Sequence, residues 1–267
     1  GSEMCIRDSF IPVPGARFLA VADFNRDGNL DLVVATGGSV KFLCGLGDGT
    51  FDAGNPSIVL GKTITSIAAA DLDGDGDVDL VATDPELGAV NILWNAGCWT
   101  FNVTRIKAEK AYFVHVFDCN RDGIPDLAVA QKDLDRVSVF SGQIGGVVTV
   151  ETNAVSGQLD RCPSCVVSMD LVTYNLCTTF RLPQGSRPIG LVSGDFDRNG
   201  VPDLAVANNG FPDPNLPGIF PLQIIYNPCG CKLCDNCNVG ATRSAPCYPD
   251  GKPGECDQPG GATPPKG

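Results

Sequence analysis

Histidine is almost missing from this 267-residue chain, which has one copy, His115, and only two methionines and two tryptophans. A single imidazole excludes a histidine-rich zinc site and leaves little for general acid–base chemistry at neutral pH. His115 itself sits in the alternating run YFVHVFD and reads as a strand residue. No apolar run reaches the roughly 18 residues that a membrane-crossing helix needs. Basic residues are scarce, 19 Lys and Arg against 31 Asp and Glu for a net charge of −12, so there is no basic stripe to follow a nucleic-acid backbone. Phosphate-cradling Gly loops, nucleophile elbows and zinc-protease helices are also lacking, and the chain is expected not to be an enzyme.

What the chain has instead is one nine-residue loop four times over: DFNRDGNLD at 23, DLDGDGDVD at 71, DCNRDGIPD at 118 and DFDRNGVPD at 195. Each reads D-x-[DN]-x-[DN]-G-x-x-D. Hard oxygen donors at the first, third, fifth and ninth places, with Gly at the sixth for a sharp turn, suit Ca²⁺, which takes six to eight oxygens. The expected ligands are Asp23, Asn25, Asp27, Asn29 and Asp31 in the first loop, and Asp71, Asp73, Asp75, Asp77 and Asp79 in the second. The third offers Asp118, Asn120, Asp122, Ile124 and Asp126, and the fourth Asp195, Asp197, Asn199, Val201 and Asp203. The seventh residue of each would contribute its backbone carbonyl, which is why it can be apolar. Fourteen of the 31 acidic residues lie in these loops, so the acidity reads as a metal load of about four ions.

An EF-hand would place a Glu at position twelve on an exiting helix, but Val34, Ala82, Val129 and Val206 stand there, inside runs that read as buried strands. Loop starts spaced by 48, 47 and 77 residues give a period near fifty. One period reads as strand, loop, strand, turn, strand, Gly-rich turn, strand. Four short strands per period predict an all-β protein, a β-propeller with about four blades visible.

The loop followed by D-L-[VA], with GDGTF about two dozen residues later (Gly47, Asp48, Gly49, Thr50 and Phe51), resembles the FG-GAP/VCBS repeats of bacterial surface proteins and integrin α-subunit propellers. The second repeat keeps Thr100 and Phe101 of that turn, and the third and fourth read as lacking it. The resemblance covers roughly residues 18–228. It implies a calcium-binding propeller, commonly seven-bladed, used for adhesion or ligand binding.

The long third interval predicts an insertion at about 142–187, holding Cys162, Cys165 and Cys177, within a propeller region spanning 10–228. Residues 1–9, GSEMCIRDS, back-translate to a sequence like a transposon-end library adapter; they read as a scar on a metagenomic fragment whose native N-terminus lies elsewhere. Residues 229–256 form a Cys-rich segment and 257–267 a disordered tail. Setting Cys5 aside, twelve cysteines remain, six before the tail and six in it, which favours disulfides and an extracellular, cell-surface or periplasmic setting. The spacing Cys231, Cys234, Cys237 leaves zinc or an iron–sulfur cluster as the alternative for the tail. Cys44 and Cys98 read as buried thiols.

Three functions stay open on the sequence: a binding module for a protein or glycan partner, a structural segment of a large surface protein, and an accessory propeller of a secreted carbohydrate-active enzyme. Trp99, in a turn, is the candidate for stacking a sugar, whereas Trp94 reads as core.

Overall fold

The β-branched runs that follow each acidic loop do form strands, and the chain is all-β. The computed structural model describes residues 10–54, 57–97, 99–144, 172–210 and 221–229. Their strands build four antiparallel sheets, each of them a blade that advances along the sequence. Blade 1 contains β1 (Ala16–Ala22), β2 (Asp31–Thr36) and β3 (Ser39–Gly45), with β4 (Phe51–Asp52) and β5 (Ser57–Val59) both pairing with β3. Blade 2 is β6 (Ser66–Ala70), β7 (Asp79–Asp84), β8 (Ala89–Asn95) and β9 (Phe101–Lys107). Blade 3 is β10 (Ala111–Phe117), β11 (Asp126–Gln131), β12 (Arg136–Ile144) and β13 (Val172–Arg181). Blade 4 shows β14 (Pro188–Gly194), β15 (Asp203–Asn208) and β16 (Leu222–Ile225), with no fourth strand among the described residues.

Blades stack face to face, so each apolar sheet face is buried by its neighbour. Val33, Val40 and Phe42 of blade 1 pack on Leu80, Leu93 and Phe101 of blade 2. Val81, Ile92 and Trp94 meet Val114, Leu127 and Phe140 across the second junction. Ala128, Val137 and Val139 meet Leu191, Leu204 and Val206 across the third. The first strands β1, β6, β10 and β14 follow one another along one edge of the array. Each such fully buried aliphatic or aromatic side chain contributes about 1.5–3 kcal/mol.

Two sequence expectations need correcting here. Trp99 is buried, 3% exposed, because the Gly-rich turn folds its ring inward against Phe42 (5.5 Å between centroids) and Phe24 (6.3 Å). It belongs to the first interblade core and offers no open ring to a sugar. The expected insertion at 142–187 also shrinks: β13 pairs with β12 from Ile144↔Val172 to Arg136↔Arg181, so Val172–Arg181 is the fourth strand of blade 3. The extra length is the connection 145–171, which stands where residues 46–50 and 96–100 stand in blades 1 and 2 and lies outside the described residues.

On the edge away from the acidic loops, carboxylates tie down the links between blades. Asp84 accepts the backbone N–H groups of Lys62 (2.6 Å) and Thr63 (3.2 Å) in the link from blade 1 to blade 2. Gly61 is required there, because an added Cβ would run into the Asp84 carboxylate. Asp135 accepts from Gly185 and Arg187, both at 2.7 Å, in the link from blade 3 to blade 4.

Candidate metal loops

All four loops sit between the first and second strands of their blades, as the repeat predicts. They share one backbone wiring. The first-position carboxylate accepts from the Gly at position six: Gly28 to Asp23 (2.9 Å), Gly76 to Asp71 (3.0 Å), Gly123 to Asp118 (3.0 Å) and Gly200 to Asp195 (2.8 Å). The third residue's oxygen takes the N–H of the fifth: Asp27 to Asn25, Asp75 to Asp73, Asp122 to Asn120 and Asn199 to Asp197. The fifth residue's oxygen takes the N–H of the seventh, Asn29, Asp77, Ile124 or Val201, at 2.7–2.8 Å. This chain of short-range side-chain-to-backbone bonds coils all four loops in the same way. It requires a left-handed residue at position four, and Arg26, Arg121 and Arg198 have φ of 57°, 62° and 61° there, with Gly74 at 78° in the second loop.

The ninth-position aspartates go deeper than expected of loop ligands. Asp31, Asp126 and Asp203 are 0% exposed and Asp79 1%. In every blade one carboxylate oxygen accepts from the second loop residue: Phe24, Leu72, Cys119 and Phe196, at 2.8–3.0 Å. The other oxygen accepts from the far end of the third strand or just beyond it: Gly45, Asn95, Gly142 and Asn227, at 2.8–2.9 Å. The ninth Asp therefore joins the loop to the blade through two backbone N–H groups, a role the loop pattern alone did not reveal. Each oxygen keeps a second lone pair that a cation can use.

Burial without a countercharge disfavours the ionised form. Asp79 is pushed up to about 8 by burial, in spite of the bonds from Asn95 and Leu72, and Asp73 up to about 6 by burial and then by Asp75 and Asp71. Burial likewise raises Asp31 and Asp126. Where Asn replaces Asp, its amide relieves the crowding: Asn25 donates to Asp27, Asn120 to Asp122 and Asn199 to Asp197, each at 2.9 Å. The second loop, with Asp at every odd position, has no such relief.

These residues fit a hard divalent cation. Asp71, Asp73 and Asp79 bring carboxylate oxygens within 4.8 Å of one another, and so do Asp195, Asp197 and Asp203. In the third loop the buried Oδ1 of Asp118 has no hydrogen-bond partner among the described residues, and a cation held there would satisfy it. The Asp77 side chain pairs with Arg26 Nε of the preceding loop at 2.7 Å, so what Asp77 can offer the loop interior is its backbone carbonyl, the donor expected at the seventh place.

Sequence reading missed the third-repeat counterpart of the GDGTF aromatic. Phe51 pairs with Gly45, Phe101 with Asn95 and Tyr174 with Gly142, and these partners are the residues that donate to the ninth Asp of their own blades. Tyr174 thus holds the position of Phe51 and Phe101, displaced in sequence by the long connection. It stacks on Trp94 at 6.4 Å. Its pairing behaviour was visible only once β13 was placed.

Cys119, the second residue of the third loop, is disulfide-bonded to Cys229, 110 residues away. The bond ties the loop to the chain just beyond β16 and takes one partner from each cysteine group, rather than pairing Cys229 within the tail. Cys44 lies beside the first loop, its sulfur 3.4 Å from Asn25 Nδ2. Cys98, Cys162, Cys165 and the tail cysteines from Cys231 to Cys256 lie outside the described residues, as do residues 1–9 and 257–267. His115 Nε2 accepts the Ser193 backbone N–H at 3.1 Å and lies 2.9 Å from Ser193 Oγ, linking the first strands of blades 3 and 4.

Four face-packed antiparallel blades, each led by an Asp/Asn loop between its first two strands, define a propeller-type repeat protein. A family model described as an FG-GAP-like repeat matches residues 23–82 and again residues 71–129, from the first loop into β11. No curated protein matches the sequence. Among solved structures the chain is similar to BBS1N in its complex with ARL6DN soaked with lead, at 16% identity and a TM-score of 0.37 over 71% of this chain and 62% of that one. The same complex soaked with mercury gives 16%, 0.35, 71% and 59%. The chain therefore spans about three fifths of those chains, and at such scores the likeness carries no argument.

Proposed function

We propose that this protein is a calcium-stabilised propeller module that works outside the cytoplasm, at the cell surface, extracellularly or in the periplasm, as a non-catalytic binder of a protein or glycan ligand. The observation that carries the calcium reading is the shared wiring of the four loops, with the carboxylates of positions one, three and nine clustered in the second and fourth, together with the unpartnered Asp118 Oδ1. A bound ion would supply the countercharge to carboxylates whose ionised form burial disfavours, and would cross-link each loop to the strand behind it. The Cys119–Cys229 disulfide supports an oxidising compartment. A non-catalytic role is supported by the engagement of the one histidine with Ser193 in an interblade contact.

Calorimetric titration of chelator-treated protein tests this. Four sites with dissociation constants on the order of 10⁻⁴ to 10⁻³ M, the range of extracellular modules, are expected. The absence of binding at millimolar calcium would remove the reading. The ligand is expected on loops that the rigid blades position, the 145–171 connection first among them. Replacing that connection with the sequence of residues 46–50 and screening both proteins on a glycan array checks this, provided β13 is left intact.

A further inference from the structure

We propose that the second metal loop is completed from blade 3, where the hydroxyl of Tyr174 holds, through a water, the carboxylate group formed by Asp71, Asp73 and Asp79. This rests on the calcium reading above and adds to it a residue that belongs to no loop. Tyr174 is 9% exposed, and its buried hydroxyl has no hydrogen-bond partner among the described residues. A buried phenol without a partner costs stability. Phenylalanine fills the matching place in the two preceding blades, as Phe51 and Phe101, so the ring alone does not account for a tyrosine here.

The surroundings of the hydroxyl point to the second loop. Its ring stacks on Trp94, the neighbour of Asn95, whose backbone N–H holds Asp79. Trp94 has no donor left for it, since the indole N–H goes to Thr104 Oγ1 at 2.8 Å. Tyr174 shares an apolar cluster with Leu72, the second residue of the loop and the other donor to Asp79. After burial, the charges that raise its phenol above the ordinary range are those of Asp79, Asp126 and Asp73, two of the three from this loop. Comparison of the loops supplies a reason. In the first junction Phe101 takes the corresponding place in a cluster with Phe24 of the first loop, whose Asn25 amide donates to Asp27. The second loop has no Asn at these places, and it is the loop that meets a tyrosine. Four side-chain oxygens and one carbonyl leave about one to three of calcium's six to eight places to water. A phenol both donates and accepts, so Tyr174 can fix such a water as outer-shell partners fix metal ligands.

Calorimetric titration and thermal melts of the full chain, wild type and Tyr174→Phe, separate this role from plain packing. In chelator, Tyr174→Phe should melt at or above the wild-type temperature, because it removes a hydroxyl without a partner and keeps the ring. On adding calcium the variant should gain less melting temperature than the wild type, and one site should bind about three- to tenfold more weakly, the worth of one hydrogen bond. In an Asp75→Ala background, which removes the second site, Tyr174→Phe should leave the remaining sites unchanged. Wild-type protein that binds no calcium overturns the calcium reading and this inference with it. Calcium affinities unchanged in Tyr174→Phe overturn this inference alone, as does a further loss of affinity in the Asp75→Ala background. A variant that melts several degrees below the wild type in chelator also overturns it, since the hydroxyl would then serve the fold without the ion.

Discussion

Asn95, the last residue of β8, holds Asp79, the first of β7, at the loop end of blade 2: its backbone N–H donates to Asp79 Oδ1 at 2.8 Å, and its side-chain amide donates to Phe24 O of the neighbouring blade at the same distance. One residue thereby joins the second loop, the third strand that follows it and the loop of blade 1. Asp79→Ala would leave the N–H groups of Leu72 and Asn95 buried without acceptors. At about 1–3 kcal/mol for each, unfolding in urea should show a loss of roughly 2–6 kcal/mol. A loss below about 1 kcal/mol would mean that the bonds re-form to water and that the buried staple is not what holds the loop.

Calcium and protons should compete at the second loop. The folded-state carboxyls of Asp73 and Asp79 titrate near 6 and near 8, above the unfolded value near 3.8, so the chelated folded state binds more protons than the unfolded one across that window. Its stability from these groups is therefore largest at low pH and falls as pH rises toward 8. Calcium replaces the protons, so the gap in melting temperature between calcium and chelator should widen from pH 5.5 to pH 8. A gap independent of pH would separate these carboxylates from the ion.

Calcium should also raise stability by about 1.4 kcal/mol per site at ten times its dissociation constant, and by several kcal/mol over four sites. Thermal melts with and without chelator measure it. An unchanged melting temperature would leave the loops as metal-free turns.

Paired substitution Cys119→Ser and Cys229→Ser opens a loop of 110 residues. The unfolding free energy should fall by roughly 2–5 kcal/mol. Hydrogen exchange should report the change first at β15 and β16, because the bond anchors the segment carrying Asn227 N–H to Asp203.

Trp99→Ala should cost about 3–5 kcal/mol, the cost of emptying a packed aromatic site, since its ring lies among Phe24, Phe42 and Phe101. Ligand binding, measured on the same array as the wild type, should survive in any folded variant.

Much of this was legible in the sequence because the loop is nearly self-contained. Its bonds run between residues two to seven apart, so the pattern of Asp, Asn and Gly carries the geometry of Asp23–Asp31 and its three repeats with it. What the sequence concealed depends on pairing between distant strands. Tyr174 could not be matched to Phe101 until β12 and β13 were seen to pair across the 145–171 connection. The direction of the Trp99 ring likewise follows from how blade 1 packs on blade 2 and not from its own turn. The second partner of each ninth aspartate comes from 14 to 24 residues further on, outside the reach of any loop pattern.

The links at Asp84 and Asp135 fall on alternate junctions. Asp84 fastens the passage from blade 1 to blade 2, which Arg26 also spans, and Asp135 the passage from blade 3 to blade 4, which the disulfide and the His115 contact also span. Between blades 2 and 3 the link is held by Gln131, whose side-chain amide donates to Glu109 O, and by the Arg136–Glu109 ion pair at 3.8 Å, beside apolar packing and the bond from Thr83 Oγ1 to Tyr112 O. Mechanically, every passage between blades carries a polar fastening near the end of a second strand, so a load pulled along the chain would meet a tie at each junction before the apolar faces could part.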